Sequence, residues 1–464
     1  MNMSKRWWIV ATAGALVLAG CSGGSTGGGG SALGGVTTTT AKAPGDCSVP
    51  RRSTEFGVSP TTITVTVMAD VQNAFRPGLF KGSWEGVKAW GDYINSRGGL
   101  ACRKVVVKEV DSKLTPTDSQ NGIAAACNDS LAMVGTTALF LQDVRTMNTC
   151  KDKAGKATGI PDIADLQTEA AQQCSPVSFP VLGSAGSCPY SGTGPRTFAV
   201  GSVQLDYYFD KLGLKNLHGV FVIPKDVPST IASAMPIIRG FNKLGIKSDA
   251  EIGESGTAIQ TDYTQVAQAI ESNHSNYARN DLDYKGSVLM RKEAQVQGVN
   301  SVKVWDCSVQ CYDPRFIQEG GSAVEGQYVW LSSLPIEDKG HNAELDALLA
   351  RYPKPDAFGT EAWIAGEVFA QAVNDTVAAH GGDPNSVTRA NVLAAIRNMH
   401  SFDAGGMIPK IDVGRKRGSA CLVGLQVQHG KFVRIDPVQP GTFDCGPKQK
   451  VLTITIDPAK EYHG

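Results

Sequence analysis

Few residues in this chain stand at spacings that make or break covalent bonds. The hydrolase pattern G-x-S-x-G occurs at Gly23-Gly24-Ser25-Thr26-Gly27. It sits in a Gly/Ser/Thr tract, not on the strand-to-helix turn that exposes a nucleophile, and is read as fortuitous. The histidines His218, His274, His341, His380, His400, His429 and His463 are scattered and form no H-E-x-x-H motif, so zinc hydrolysis finds no support. Cys307-x-x-x-Cys311 is half a metal site without a second pair nearby, and a disulfide is the better reading. Glu361 and Glu367 share a helical stretch but not a face, and no carboxylate pair stands at catalytic spacing. There is no Walker A loop. The residue types describe a protein that binds without cofactor or metal and catalyses nothing.

The elements that would position a site alternate along the chain. Strands are expected at Ile63–Met68, Val105–Val110, Leu131–Val134 and Phe179–Leu182, with helices at Phe80–Ser96 and Thr117–Asp129. The first helix stops at Arg97-Gly98-Gly99. The rhythm restarts with strands at Leu217–Ile223, Ile246–Ile252, Tyr277–Asn280, Val302–Trp305 and Tyr328–Leu331. Helices are expected at Ile231–Leu244, Tyr263–Ile270, Asn342–Arg351, Phe358–Ala379 and Arg389–Met399, and a hairpin around His429-Gly430. Strands alternating with helices imply βαβ units and parallel sheets. The doubling implies an α/β protein of two lobes, with ligand loops at the carboxyl ends of the strands. These loops are Asp70-Val71-Gln72-Asn73, Gly135-Thr136-Thr137-Ala138 and Gly183-Ser184-Ala185-Gly186-Ser187.

With 464 residues, 44 basic and 44 acidic side chains and 42% hydrophobic content, the chain is globular and has no basic excess for nucleic acid. Lys5-Arg6 precedes the apolar run Trp7–Leu18, too short for the roughly 20 residues that span a bilayer and laid out as a signal peptide. Leu18-Ala19-Gly20-Cys21 resembles a bacterial lipobox, which implies cleavage after residue 20 and a lipid on Cys21. Residues 21–54 then form a tether rich in Gly, Ser and Thr. The other ten cysteines suggest up to five disulfides in an exported chain. Local pairing favours Cys307–Cys311 and Cys421–Cys445, then Cys102–Cys127.

An exported chain with this doubled rhythm resembles the type I periplasmic-binding fold. More narrowly, it is similar to the branched-chain amino acid/amide/urea-binding family of ABC importers, which is leucine-binding-protein-like. The resemblance rests on Ile63-Thr64-Val65, Ile94–Gly99, Leu289–Ala294 with Gln297-Gly298, Gly326–Val329, the Ala357–Ala372 stretch and Gly430–Val433. It implies lobe I at 55–198 and 335–400 and lobe II at 199–334 and 401–464. The lobes would hinge shut on a small polar ligand (an amino acid, amide or related carboxylate). Partners would be a permease and an ATPase on other chains, with the protein a monomer lipid-anchored on the outer membrane face. The family pattern places a ligand carboxylate at Thr136, Thr137, Ser184, Ala185 and Ser187. Asp70 and Gln72 follow the first strand. From lobe II it offers Asp281, Tyr284 and Asp306, although Cys307 or Ser308 stands where the family has a glutamate. A ligand sensor of the same fold is the alternative, and a secreted hydrolase a more distant one. The 150–188 segment is longer than the family pattern.

Overall fold

The computed structural model describes residues 45–73, 75–183, 185–188, 194–446 and 451–462. The leader, Cys21 and Ser184 lie outside these residues. The first sheet has the order β2-β1-β3-β4-β5 and is parallel throughout: β1 (Thr62–Ala69), β2 (Lys104–Asp111), β3 (Ala132–Thr136), β4 (Asp162–Ala164) and β5 (Ser178–Pro180). After β6 (Arg196–Gly201) comes a seven-stranded sheet of order β13-β12-β11-β10-β9-β7-β8. Its parallel strands are β7 (His218–Pro224), β8 (Lys247–Glu254), β9 (Tyr277–Asn280), β10 (Val304–Cys307) and β11 (Gln327–Leu331). The hairpin β12 (Val423–Gln428) and β13 (Lys431–Asp436) adds antiparallel to one edge. β14 (Val451–Ile456) returns to pair with β6 as a separate ribbon.

The α/β class and most strands agree with the sequence reading. Two features differ. β4 was not expected, because three residues that begin with an aspartate carry no apolar run. The buried Asp162 carboxylate is tolerated there because Thr136 Oγ1 (2.6 Å), Gln172 Nε2 (3.0 Å) and Ser178 Oγ all donate to it. The strand expected as fourth is therefore fifth. The β6–β14 ribbon, formed by segments far apart in sequence, was also not expected.

The disulfides pair Cys47–Cys102, Cys127–Cys150, Cys174–Cys188, Cys307–Cys311 and Cys421–Cys445. The expected Cys102–Cys127 pair is thus corrected. Cys102 sits in a turn after the first helix at a φ of 61° and takes Cys47 from the segment before β1. Cys127, near the end of the helix Pro116–Asp129, meets Cys150 just past the helix Arg145–Thr149. Chain separation says little about which Cβ atoms approach within bonding reach.

One helix pair braces the first sheet. The helix Lys81–Ser96 presents Ser83, Gly86, Val87, Trp90 and Ile94 on its buried face, the spacing of an amphipathic helix. Its partner Ala357–Ala379 is buried over most of its length. The two approach closely because both carry glycines at the crossing. A Cβ on Gly86 would stand 2.1 Å from the Gly359 carbonyl oxygen, and one on Gly366 2.2 Å from the Trp90 ring. Gly86→Ala should therefore destabilise the protein by about 1–3 kcal/mol despite alanine's better helix propensity. Urea unfolding checks this, and an unchanged midpoint would contradict the close crossing.

Candidate functional site

Parallel strands send all their following loops to one end. Both sheets do so, and the two sets of loops enclose a cavity of about 210 Å³. From the first sheet come Leu114 after β2, Leu139 after β3 and Leu166 after β4, with Leu79, Phe80 and Phe358 from the starts of the two bracing helices. From the second come Val227 and Ile237 after β7, Asp281 and Leu282 after β9, and Val309 after β10. The lining is chiefly apolar.

Asp70, expected to touch ligand, holds loops that line the cavity. Fully buried, its carboxylate accepts from Ser112 Oγ (2.6 Å), Leu114 N (2.8 Å) and Leu139 N (2.8 Å). Burial pushes its pKa up, while these three donors oppose the shift. Gln72 is exposed and donates its backbone N–H to Asp111.

Thr136 and Thr137, expected at the ligand carboxylate, do not line the cavity. Both are fully buried; Thr136 donates to Asp162, and Thr137 donates to Asp165 (3.1 Å) and meets the Ser83 hydroxyl (2.7 Å). Ala185 N donates to the Lys416 carbonyl, while Ser187 bonds to Thr197 through both its backbone N–H and its hydroxyl. With β4 inserted, the loop that reaches the cavity after the fourth strand is 165–168; among the described residues of the 183–187 stretch, none lines it.

Asp306, also expected at the ligand, does not line the cavity. It sits 1% exposed in the core of the second sheet and accepts from Gln204 Nε2 (2.9 Å), Tyr208 Oη (3.2 Å), Tyr277 Oη and Arg279 Nη1 (3.1 Å). Asp281 and Tyr284 do line the cavity. Tyr284 donates to Glu319 and lies under the Arg315 guanidinium.

The sequence reading missed Arg76 and the leucines. Arg76 reaches across from the loop after β1. Its Nε pairs with Asp283, and its Nη2 donates to Asp283 Oδ1 (3.3 Å) and to the Gly256 carbonyl (2.8 Å). A second bridge runs through Ser229, which donates to the Leu139 carbonyl (2.9 Å) and accepts from Thr168 (3.2 Å). A usable signal was present for two of the leucines: Leu114 and Leu139 each stand three residues past the end of the parallel strands that flank β1.

Burial raises several acids near the cavity. Asp356, which caps the long helix through Gly359 N (2.7 Å), is pushed up to about 6 by burial and then by the neighbouring Asp313. Glu169 is pushed up to about 7 by burial. Asp165 and Glu361 are wholly buried and hydrogen-bonded to each other. Burial raises both; Asp165 raises Glu361 further, whereas the hydrogen bond from Glu361 partly lowers Asp165. Sequence spacing could not reveal this pair, because its members lie on different elements.

Among the described residues, no group of three or more His, Cys, Asp or Glu side chains is placed to hold a metal ion. No helix among them is long and apolar enough to cross a membrane.

Residues 62–431 match the family model described as periplasmic binding protein, and the chain belongs to that family. Its fold is type I, of the leucine-binding-protein-like kind. Similar solved structures include a fatty acid ABC transporter substrate-binding protein from Thermomonospora curvata, at 16% identity over 88% of this chain and 96% of that one, TM-score 0.62. A branched-chain amino acid ABC transporter protein from Thermus thermophilus with bound valine matches at 14% identity over 81% and 95%, TM-score 0.61. A solute-binding protein from R. palustris in complex with benzoate matches at 17% identity over 82% and 98%, TM-score 0.59. No curated protein matches the chain.

Two outcomes follow from this geometry. Asp70→Ala strands two buried backbone N–H groups and a hydroxyl, at about 1–3 kcal/mol for each unsatisfied group. Chemical denaturation should show a loss of that order, whereas a change within about 0.5 kcal/mol, as at an ordinary surface position, would contradict the role. Second, Asp356 has a folded pKa above its unfolded value of about 3.9. Its folded form holds the proton more tightly, so its contribution is full below about pH 4 and is lost as pH rises towards 6. Asp356→Asn keeps the cap and should flatten the fall in melting temperature over that window, as calorimetry would show.

Proposed function

We propose that the protein is the extracytoplasmic solute-binding component of an ABC importer, held at the outer membrane face by a lipid on Cys21. It captures a small molecule between its two lobes and presents the closed form to a permease whose ATPase is a separate chain. One observation carries this reading: the loops at the carboxyl ends of both sheets meet around one cavity and are bonded across it through Arg76 and Ser229. A ligand touching both sets of loops binds the closed form better than the open one, and that difference drives closure. The solute carries apolar surface, in keeping with the lining. The fatty acid, valine and benzoate named for similar structures each have such surface.

Small-angle scattering should show the protein contract on binding its solute. Arg76→Ala leaves Asp283 without its cationic partner in the closed form and should weaken binding about tenfold, or roughly 1.4 kcal/mol. A ligand that binds with no contraction, together with an unaffected Arg76→Ala variant, would overturn closure as the mechanism.

A further inference from the structure

The charges around the cavity point to its occupant. Five aspartates line it: Asp226, Asp281, Asp283, Asp313 and Asp356. Among the described lining residues the one cation is Arg76, already engaged by Asp283 and the Gly256 carbonyl. Two of the other aspartates have cations from outside the lining. Arg315 pairs with Asp313 at 2.6 Å, and Arg279 with Asp281 Oδ1 at 2.7 Å. Asp226 accepts only from Ser255 and Gly256 N, and Asp356 caps a helix. A carboxylate entering this space meets uncompensated negative charge and no free cation.

Asp281 adds a second, independent observation. Its side chain is 6% exposed, and although Oδ1 is paired, Oδ2 is buried without any hydrogen-bond partner. A buried carboxylate oxygen left unsatisfied is costly, and a donor brought by a ligand removes that cost. The rest of the wall is chiefly leucine, phenylalanine, valine and isoleucine, with Thr168, Thr230, Ser233, Ser308, Gln310 and two tyrosines among them, in a cavity larger than the roughly 150 Å³ apolar cavity that accepts benzene.

We propose that the ligand is a hydrophobic molecule bearing a single hydrogen-bond donor head, an amine or a hydroxyl, and no carboxylate, with Asp281 accepting from that head. This rests on the interlobe-capture reading and narrows it. It departs from the amino acid or carboxylate that the resemblance implies. The apolar body supplies affinity by leaving water, and the aspartates supply selection against anions.

Calorimetric titration of the protein with octylamine, 1-octanol and octanoate separates head group from tail. The expected result is that the amine and the alcohol both bind at least tenfold more tightly than octanoate. Amine well above alcohol identifies a cation as the preferred head; near-equal affinities identify a neutral donor. Asp281→Asn, checked for an intact melting transition, should shrink the margin over octanoate severalfold. Should that variant fail to fold, the wild-type series still decides. Octanoate binding as well as or better than the other two would overturn the ligand class while leaving capture between the lobes intact. Binding by none of the three would also overturn it. Capture itself then stands or falls on whether any solute makes the protein contract in scattering.

Discussion

The carboxylate of Asp70 holds the cavity-facing end of the first sheet together. It stands at the end of β1 and takes hydrogen bonds from the loops after β2 and β3. Its own backbone joins the same region, accepting from Phe80 N at the start of the first helix and donating to the Thr137 carbonyl. Leu114 and Leu139 line the cavity because their backbone N–H groups are fixed to this one acid. A buried carboxylate is costly unless its lone pairs are filled, and here loop amides and a hydroxyl fill them. The same demand fixes the loops, so the satisfaction of one polar group sets the shape of an apolar wall.

The second sheet contributes in a different way. Its buried charge, Asp306 with Arg279 and the tyrosines, lies within the core and gives that lobe a specified polar network. Across the cavity run the Arg76 and Ser229 bridges; Ala357 N also donates to the Tyr312 carbonyl, and Tyr312 and Phe316 share one apolar core with the first sheet. The paired acids Asp165 and Glu361 sit behind the wall, with Asp165 bonded to Ser83 and Thr137. They belong to the packing of the long helix against the sheet.

The strands of the two larger sheets were legible in the sequence wherever they had an apolar run; the β6–β14 ribbon was not. β1 was expected at Ile63–Met68 and lies at Thr62–Ala69; β9 was expected and found at Tyr277–Asn280. β4 was illegible because its stability comes from donors to Asp162 on three other segments, not from its own three residues. That omission moved the expected anion loop to 183–187 and hid Leu166 and Thr168. Asp281 and Tyr284 were reachable from strand order alone. Asp306 and Thr136 lie away from the cavity: a polar residue at a strand end serves equally as a core anchor, and only tertiary partners distinguish the two roles. Arg76 lies past the first strand loop, and its partner Asp283 is over two hundred residues away. The Cys47–Cys102 bridge was hidden for a similar reason, since it joins the segment before β1 to the turn after the first helix.

The central claim is that one ligand is held by loops from both sheets at once. Hydrogen exchange with and without a saturating hydrophobic solute tests it directly. Slowed exchange is expected together in segments 75–80 and 137–141 of the first half and 225–231 and 280–284 of the second. Protection confined to one half, with the other exchanging as in the free protein, would contradict capture between the two.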